Sequence, residues 1–278
     1  MADARKTLPV LRKEWEGCTK CELGVRRDAN GGQLVFGEGK RRGVMFIGEG
    51  PGSEEEAEGT PFVGPSGKIL RGIIQKLGFT EYYITNIVTC RSCAPLTDAA
   101  GTLILRRGRP VFKDEPPIPP YIEACQPRLH EEIYLVDPIV IVSLGGTAAK
   151  TLIGGNLSIL NEAGKERHIE IPGATARAVL TETKKQWVRK VGGKIIQPVE
   201  RNTVRYLLVP TIHPAYVARN IADRGLNSPM RQLFNHIKLA VQIYERYLLE
   251  TFGTLPTGAS DVDYTEGSFD PDEEDNHE

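Results

Sequence analysis

The twenty residues from Gly48 to Gly67, GEGPGSEEEAEGTPFVGPSG, restrict what this chain can fold into more than any other stretch. They follow a short apolar run, Val44-Met45-Phe46-Ile47, and precede a helical pattern with Ile69, Leu70, Ile73, Ile74 and Leu77. A buried strand, a loop rich in Gly and Pro, then a helix is how an α/β fold opens a binding crevice at its strand ends. The glycines let backbone N–H groups approach a ligand. Glu49 adds a carboxylate and Phe62 a flat apolar face. Phosphate cradles rarely need an aromatic plate, so the loop suits a planar ligand.

The same alternation continues along the chain. A short amphipathic helix is expected over residues 8–16, with Leu8, Leu11 and Trp15 on one side. Residues 24–43 hold six glycines and read as loop with one edge strand, Gln33–Phe36. The helix over 66–77 stops at Gly78, a candidate C′ glycine. Tyr82–Val88 is β-branched and aromatic, as a central strand should be. A long, polar, Pro-rich segment with Arg106, Arg107 and Arg109 precedes a helical pattern over Tyr121–Leu135. Strand Ile139–Leu144, helix Thr147–Leu152, strand Tyr206–Val209 and a helix over 229–250 complete the series. Residues 154–205, with Lys184, Lys185, Arg189, Lys190 and Lys194, read as an inserted hairpin or small sheet. Strands alternating with helices argue for a doubly wound parallel sheet. Its strand ends would gather Gly48–Glu49, Asn86 and His213 in one crevice.

The chain of 278 residues fits one large domain with insertions. No apolar run approaches the roughly 20 residues of a membrane span. The N-terminus has no apolar signal core, so a soluble cytoplasmic protein is the expectation. The net charge of −1 hides an asymmetry, because residues 261–278 carry nine of the 36 acidic residues and no Lys or Arg. Residues 1–260 then hold 35 basic against 27 acidic residues, which permits a polyanionic partner. The acidic end, residues 254–278, reads as a disordered tail.

Five cysteines without a secretory signal point to metal ligation or free thiols rather than disulfides. Cys18-x-x-Cys21 and Cys90-x-x-Cys93 spell a four-cysteine zinc pattern, although the pairs lie about 70 residues apart.

Taken together, GEGPG…GTPFVGPSG, ITNIVTC, VIVSLGGTA, HPAYVARN and the leading CxxC resemble the family 4, iron–sulfur uracil-DNA glycosylases. The match covers most of residues 15–153 and 206–240, in the family's order. It implies a three-layer α/β/α fold around a central, mostly parallel four-stranded sheet. Residues 1–253 would form this domain, with insertions at about 91–124 and 154–205. The resemblance assigns Cys18, Cys21, Cys90 and Cys125 to a structural [4Fe–4S] cluster, leaving Cys93 spare.

The implied activity is flipping uracil out of DNA and hydrolysing its N-glycosidic bond. Phe62 would stack on the base, and Asn86 would read O4 and N3–H. His213, held on a loop by Pro214, would donate to O2 as charge builds on the leaving base, with the Gly50 amide facing the same oxygen. Glu49 would position water and stabilise a cationic sugar. Gly64, Ser66, Gly67, Pro214 and Arg219 would approach the DNA backbone. Glu54, Glu55 and Glu56 are expected to complement a helix N-terminus or face solvent. Many relatives carry Ala at the position of Ser66.

No lysine in these motifs is placed as a Schiff-base nucleophile, so the implied enzyme is monofunctional. The partners expected are DNA, as a nucleoid-associated monomer, and repair or replication proteins at the acidic tail. The two insertions leave room for another modified or deaminated base as substrate. The alternative of another class is a non-catalytic iron–sulfur DNA-binding module.

Overall fold

Val44–Gly48 runs through the middle of the molecule with all five residues buried, and the other elements are arranged around it. The structure is a computed structural model describing residues 7–172, 190–191, 194–195, 203–223 and 225–253. In chain order it begins with α1 (Leu8–Trp15), α2 (Glu22–Ala29), β1 (Glu38–Gly39), β2 (Val44–Gly48), α3 (Ser53–Glu58), α4 (Pro65–Lys76) and β3 (Tyr82–Asn86). A small β-arm follows, made of β4 (Cys93–Pro95), β5 (Leu105–Arg106), β6 (Arg109–Pro110) and β7 (Phe112–Asp114). Next come α5 (Pro119–Val136), β8 (Val140–Leu144), α6 (Gly146–Ile153), α7 (Ile159–Glu162) and β9 (Arg167–Pro172). The last elements are β10 (Lys190–Val191), β11 (Lys194–Ile195), β12 (Thr203–Thr211), α8 (Pro214–Arg219) and α9 (Pro229–Phe252).

The main sheet has six strands in the order β1-β3-β2-β8-β12-β9. Its inner four, β3, β2, β8 and β12, are all parallel. The expected four-stranded parallel core is therefore present, and two antiparallel edges widen it to a mixed sheet. Strands buried on both faces read as continuous apolar runs, and β2 divides accordingly. Val44 and Phe46 pack with Leu70, Ile73 and Ile74 of α4 and Leu233, Ile237 and Val241 of α9. Met45 and Ile47 face Leu129 and Ile133 of α5 and Ala148 and Leu152 of α6. The result is the α/β class with helices on both sheet faces.

Several local expectations change. The edge strand lies at Glu38–Gly39 instead of Gln33–Phe36, paired with Ile84 and Tyr83. Residues 22–29, read from residue 24 onward as loop, form the helix α2. The segment after Cys90 folds into the arm, in which β4 pairs with β7 and β5 with β6. Within residues 154–205, β9 pairs with β12 over six residues and extends the main sheet, while β10 and β11 pair with each other. Lys184, Lys185, Arg189 and the tail 254–278 lie outside the described residues. Among the described residues no helix is long and apolar enough to cross a membrane.

A buried polar knot fastens α5 to the sheet. Arg128 and Glu132, one helical turn apart, form an ion pair with both side chains almost fully excluded from solvent. Glu132 also accepts from Tyr83 Oη at 2.9 Å, Thr85 Oγ1 at 3.0 Å and the Gly37 amide at 3.1 Å. Arg128 donates to the carbonyls of Asn86 and Ile87, both at 2.8 Å. Gly37 is required at this point, because a Cβ would stand 2.4 Å from the Tyr83 ring and 2.6 Å from Glu132 Oε1. Removing one partner of such a pair strands a buried charge. Glu132→Ala is accordingly expected to destabilise the fold by about 3–5 kcal/mol, read from urea denaturation.

Candidate active site

At the carboxyl ends of the parallel strands the chain turns away from β2, with β3 on one side and β8 on the other. This is the switch-point position at which open α/β sheets bind ligands. A cavity of about 560 Å³ opens there. Its walls include Glu49, Gly50, Phe62, Gly64, Ser66, Asn86, His213 and Arg219. Of the ten residues singled out from the sequence at the base and DNA backbone, these eight are brought together. Gly67 and Pro214 are buried beside the cavity and do not line it.

The two glycine loops are built for close approach. A Cβ on Gly48 would meet Asn86 Oδ1 at 2.4 Å and Phe62 Cζ at 2.5 Å, so only glycine lets both side chains reach the strand end. Phe62 itself has φ of 56°, a left-handed conformation that costs a non-glycine residue of order 1–3 kcal/mol. Arg71 on α4 holds it there, donating to the Phe62 carbonyl at 3.0 Å and the Pro61 carbonyl at 2.8 Å. Arg71 is in turn anchored by Glu38 at 2.6 Å. Gly67 serves the same turn, since a Cβ on it would collide with the Phe62 carbonyl oxygen at 1.9 Å.

Glu55 complements a helix N-terminus, as expected, by accepting at the start of α3, whereas Glu56 is drawn into an ion pair instead of facing solvent. Glu55 is buried and bridges the two loops, accepting from the Gly52 amide at 3.0 Å and the Gly64 amide at 3.1 Å. The Gly64 N–H is thereby committed inside the protein, which removes it as a phosphate donor. The free amides at the start of α4 belong to the positions after Pro65. Glu56 pairs with Arg26 of α2 at 2.8 Å, and only Glu54 of the three remains a surface carboxylate on the cavity wall. The signal for Glu55 was present in the sequence as Gly52 followed three residues later by Glu, a capping-box spacing.

Asn86 is 2% exposed, and its Oδ1 has no hydrogen-bond partner among the described residues. A buried acceptor without a partner is costly, and this one lies in the cavity wall. His213 caps α8, its Nδ1 accepting the Ala215 amide at 3.1 Å. That bond leaves the ring proton on Nε2. Burial, helped by the positive charge of Arg219, pushes the His213 pKa down to about 4, so the ring is neutral at pH 7. Its ring centroid lies 6.5 Å from that of Phe62. Asp114, Glu115, Pro116, Pro117 and Ser92, which the sequence reading did not place in the site, close the remaining wall from the base of the β-arm.

None of the five cysteines lines this cavity. None of the five forms a disulfide, and Cys90 and Cys125 are buried while the others are partly so. Burial pushes the Cys90 thiol up to about 12; Arg27 opposes this, while Cys125 and Cys21 are near enough to add to it. Thr89 Oγ1 lies 3.9 Å from Cys125 Sγ. Arg27, itself buried, donates to the Cys18 carbonyl at 3.2 Å. Cys93 has different neighbours, feeling Arg26, Arg91, Glu56 and Asp114. Among the described residues no three Cys, His or acidic side chains converge tightly enough to grip a single metal ion.

Comparison with known proteins agrees with this geometry. The chain is 26% identical over 223 residues to a type-4 uracil-DNA glycosylase of Thermotoga maritima, covering 79% of this chain and 88% of the relative. It is 29% identical over 221 residues to the type-4 uracil-DNA glycosylase of Pyrobaculum aerophilum, covering 78% and 88%. A shorter match, 35% over 142 residues, joins it to the type-4 enzyme of Saccharolobus solfataricus, covering 50% and 55%. Residues 36–238 match the family described as the uracil DNA glycosylase superfamily, which takes in every element from β1 into α9. The chain belongs to the uracil DNA glycosylase superfamily.

Proposed function

We propose that this protein is a type-4, monofunctional uracil-DNA glycosylase, which extrudes uracil into the strand-end cavity and hydrolyses its N1–C1′ bond. The observation that carries the reading is the unpartnered, buried Asn86 Oδ1 on the same cavity wall as Phe62, Glu49 and His213. An acceptor left open in a folded protein is matched by the N3–H of uracil, and the Asn86 amide group can turn its N–H toward O4. Phe62 supplies the stacking face. His213 donates from Nε2 to O2, where charge develops as the electron pair of the N1–C1′ bond leaves with the base. Glu49 holds the water whose oxygen bonds to C1′, and its negative charge stabilises the cationic sugar. The water's released proton passes through solvent to the departing uracil anion, leaving an abasic site. The Ser66 amide at the start of α4, together with exposed Arg219, suits a flanking phosphate.

Cys18, Cys21, Cys90 and Cys125 fit a [4Fe–4S] cluster better than zinc. A cluster spreads its thiolates further apart than one ion does, and the mutual effect of Cys21, Cys90 and Cys125 fits such spacing. Buried Arg27 beside them offers positive charge to an anionic centre. The group would be structural, joining the N-terminal segment to the loop after β3. The nucleobase chemistry needs no electron transfer.

Three outcomes are expected. Wild-type protein converts a single-uracil oligonucleotide into an alkali-labile strand, while His213→Ala is slower on the order of 10²–10³-fold. No scission by the wild type on single- or double-stranded uracil DNA refutes the activity. Iron analysis after anaerobic purification gives about four atoms per chain, lost with Cys125→Ser and kept with Cys93→Ser.

The excision rate should pass through the ordinary histidine range near pH 6.5 without a break, and fall only as pH approaches about 4, where Nδ1 takes a proton and the bond to Ala215 is lost. The unfolded chain binds that proton more readily. The His213 contribution to stability is therefore fully present above about pH 6.5 and is lost as pH falls through about 4.

A further inference from the structure

The β-arm between β3 and α5 ends in a tip that a water-facing hairpin would avoid. Leu103, Ile104 and Leu105 are 47%, 41% and 56% exposed, one after another, so the segment leading into β5 presents apolar side chains to solvent on both sides. Arg106 and Arg107 follow at once, both exposed, and make no ion pair with any described residue. Arg107 and Gly108 have φ of 53° and 76°, the tight turn that lets β5 double back on β6.

The arm is internally braced. Leu96 N–H donates to the Val111 carbonyl at 2.7 Å, Ile104 N–H to Leu96 at 2.8 Å and Val111 N–H to Ile104 at 2.9 Å. A second bracing turn is held by Asp98, whose carboxylate accepts from the amides of Ala100 and Thr102, both at 2.9 Å. The base of the arm is fixed to the site. Arg91 pairs with Asp114 at 2.5 Å, and the Glu115 amide donates to the Ser92 carbonyl at 2.9 Å. Ser92, Asp114 and Glu115 are themselves cavity wall.

We propose that this arm is a DNA wedge, placing Leu103 and Leu105 against the base stack beside the flipped nucleotide while Arg106 and Arg107 hold the neighbouring phosphates. The inference rests on the glycosylase reading above and adds the substrate form, namely duplex DNA. Two observations choose DNA as the occupant. The arm is continuous with the cavity that takes the base, and its two guanidinium groups, unpaired among the described residues, adjoin its apolar residues. Apolar side chains flanked by Arg are the combination that opens base steps and kinks a duplex. Glu115 at the base of the arm, an exposed carboxylate on the cavity wall, repels phosphate there. The backbone is thus directed to Ser66 and Arg219 on one side and to the arm's tip on the other. A single strand has no base pairs to break and a loose stack that opens readily, so the arm matters chiefly for the duplex.

The test compares Leu103→Ser/Leu105→Ser and Arg106→Glu/Arg107→Glu with the wild type on one uracil oligonucleotide, single-stranded and annealed. All four residues are exposed, so folding is not at risk, and a thermal melt checks it. The serine variant is expected to keep single-strand excision within about twofold and lose roughly tenfold or more on the duplex. The glutamate variant should lower the salt slope of duplex binding by about two. Equal excision of the duplex by variants and wild type, or equal loss on both substrates, overturns the wedge. Absence of excision by the wild type on either substrate instead overturns the glycosylase reading on which it rests.

Discussion

The buried pair of Arg128 and Glu132 is the interaction on which the remainder of the site depends. Burying two charges is unfavourable unless their hydrogen bonds are satisfied by other groups. Here the satisfying groups are the backbone of Gly37, the hydroxyls of Tyr83 and Thr85, and the carbonyls of Asn86 and Ile87. The desolvation cost is thus offset by fixing the end of β3, the segment that carries Asn86. Cys125 lies one turn before Arg128 on α5, and Cys90 lies four residues after Asn86. The same helix and the same strand end therefore serve the strand-end cavity and the cysteine group. Metal ligation at Cys90 and Cys125 would brace from outside what the ion pair braces from within.

A second set of restraints works through α2. Arg26 reaches Glu56 at 2.8 Å and the Arg91 carbonyl at 2.6 Å, while Tyr121 on α5 donates to Glu22 at 2.8 Å. These bonds draw Cys21 and Cys18 toward the loop after β3. They also couple α3, next to the glycine loop of Glu49, to the segment that begins the β-arm. One short polar helix thus links the cysteines, the glycine loop of Glu49 and the arm.

Much of this was legible in the sequence for plain physical reasons. Strands buried on both faces leave apolar runs, and β2 and β8 show them. Glycines that must yield to Asn86, Phe62 and His213 stand out because nothing else fits. What escaped notice had no such mark. Helix α2 buries only Leu23, Gly24 and Arg27, so it has no apolar stripe for a period to reveal. Strand β1 is two residues long and is defined by its pairing with β3. The arm is punctuated by Pro and Gly and holds together through bonds between residues distant in sequence, such as Leu96 with Val111. The sequence leaves Glu55 open between a helix N-terminus and solvent, because it sits among other glutamates, and the choice is decided by the Gly52 and Gly64 amides that meet there.

The Glu55 bridge has a mechanical consequence. By tying the Gly52 loop to the Gly64 turn, it makes the carrier of Glu49 and the carrier of Phe62 a single stiff body, further locked by Arg71 on the Phe62 carbonyl. A mould of this kind has met its ordering entropy during folding and has little left to lose when a ligand enters. The travelling part must then be the nucleotide. Discrimination falls to whether a base can leave its stack and match a fixed shape, so the weakness of a base's pairing in the helix becomes part of what the protein reads.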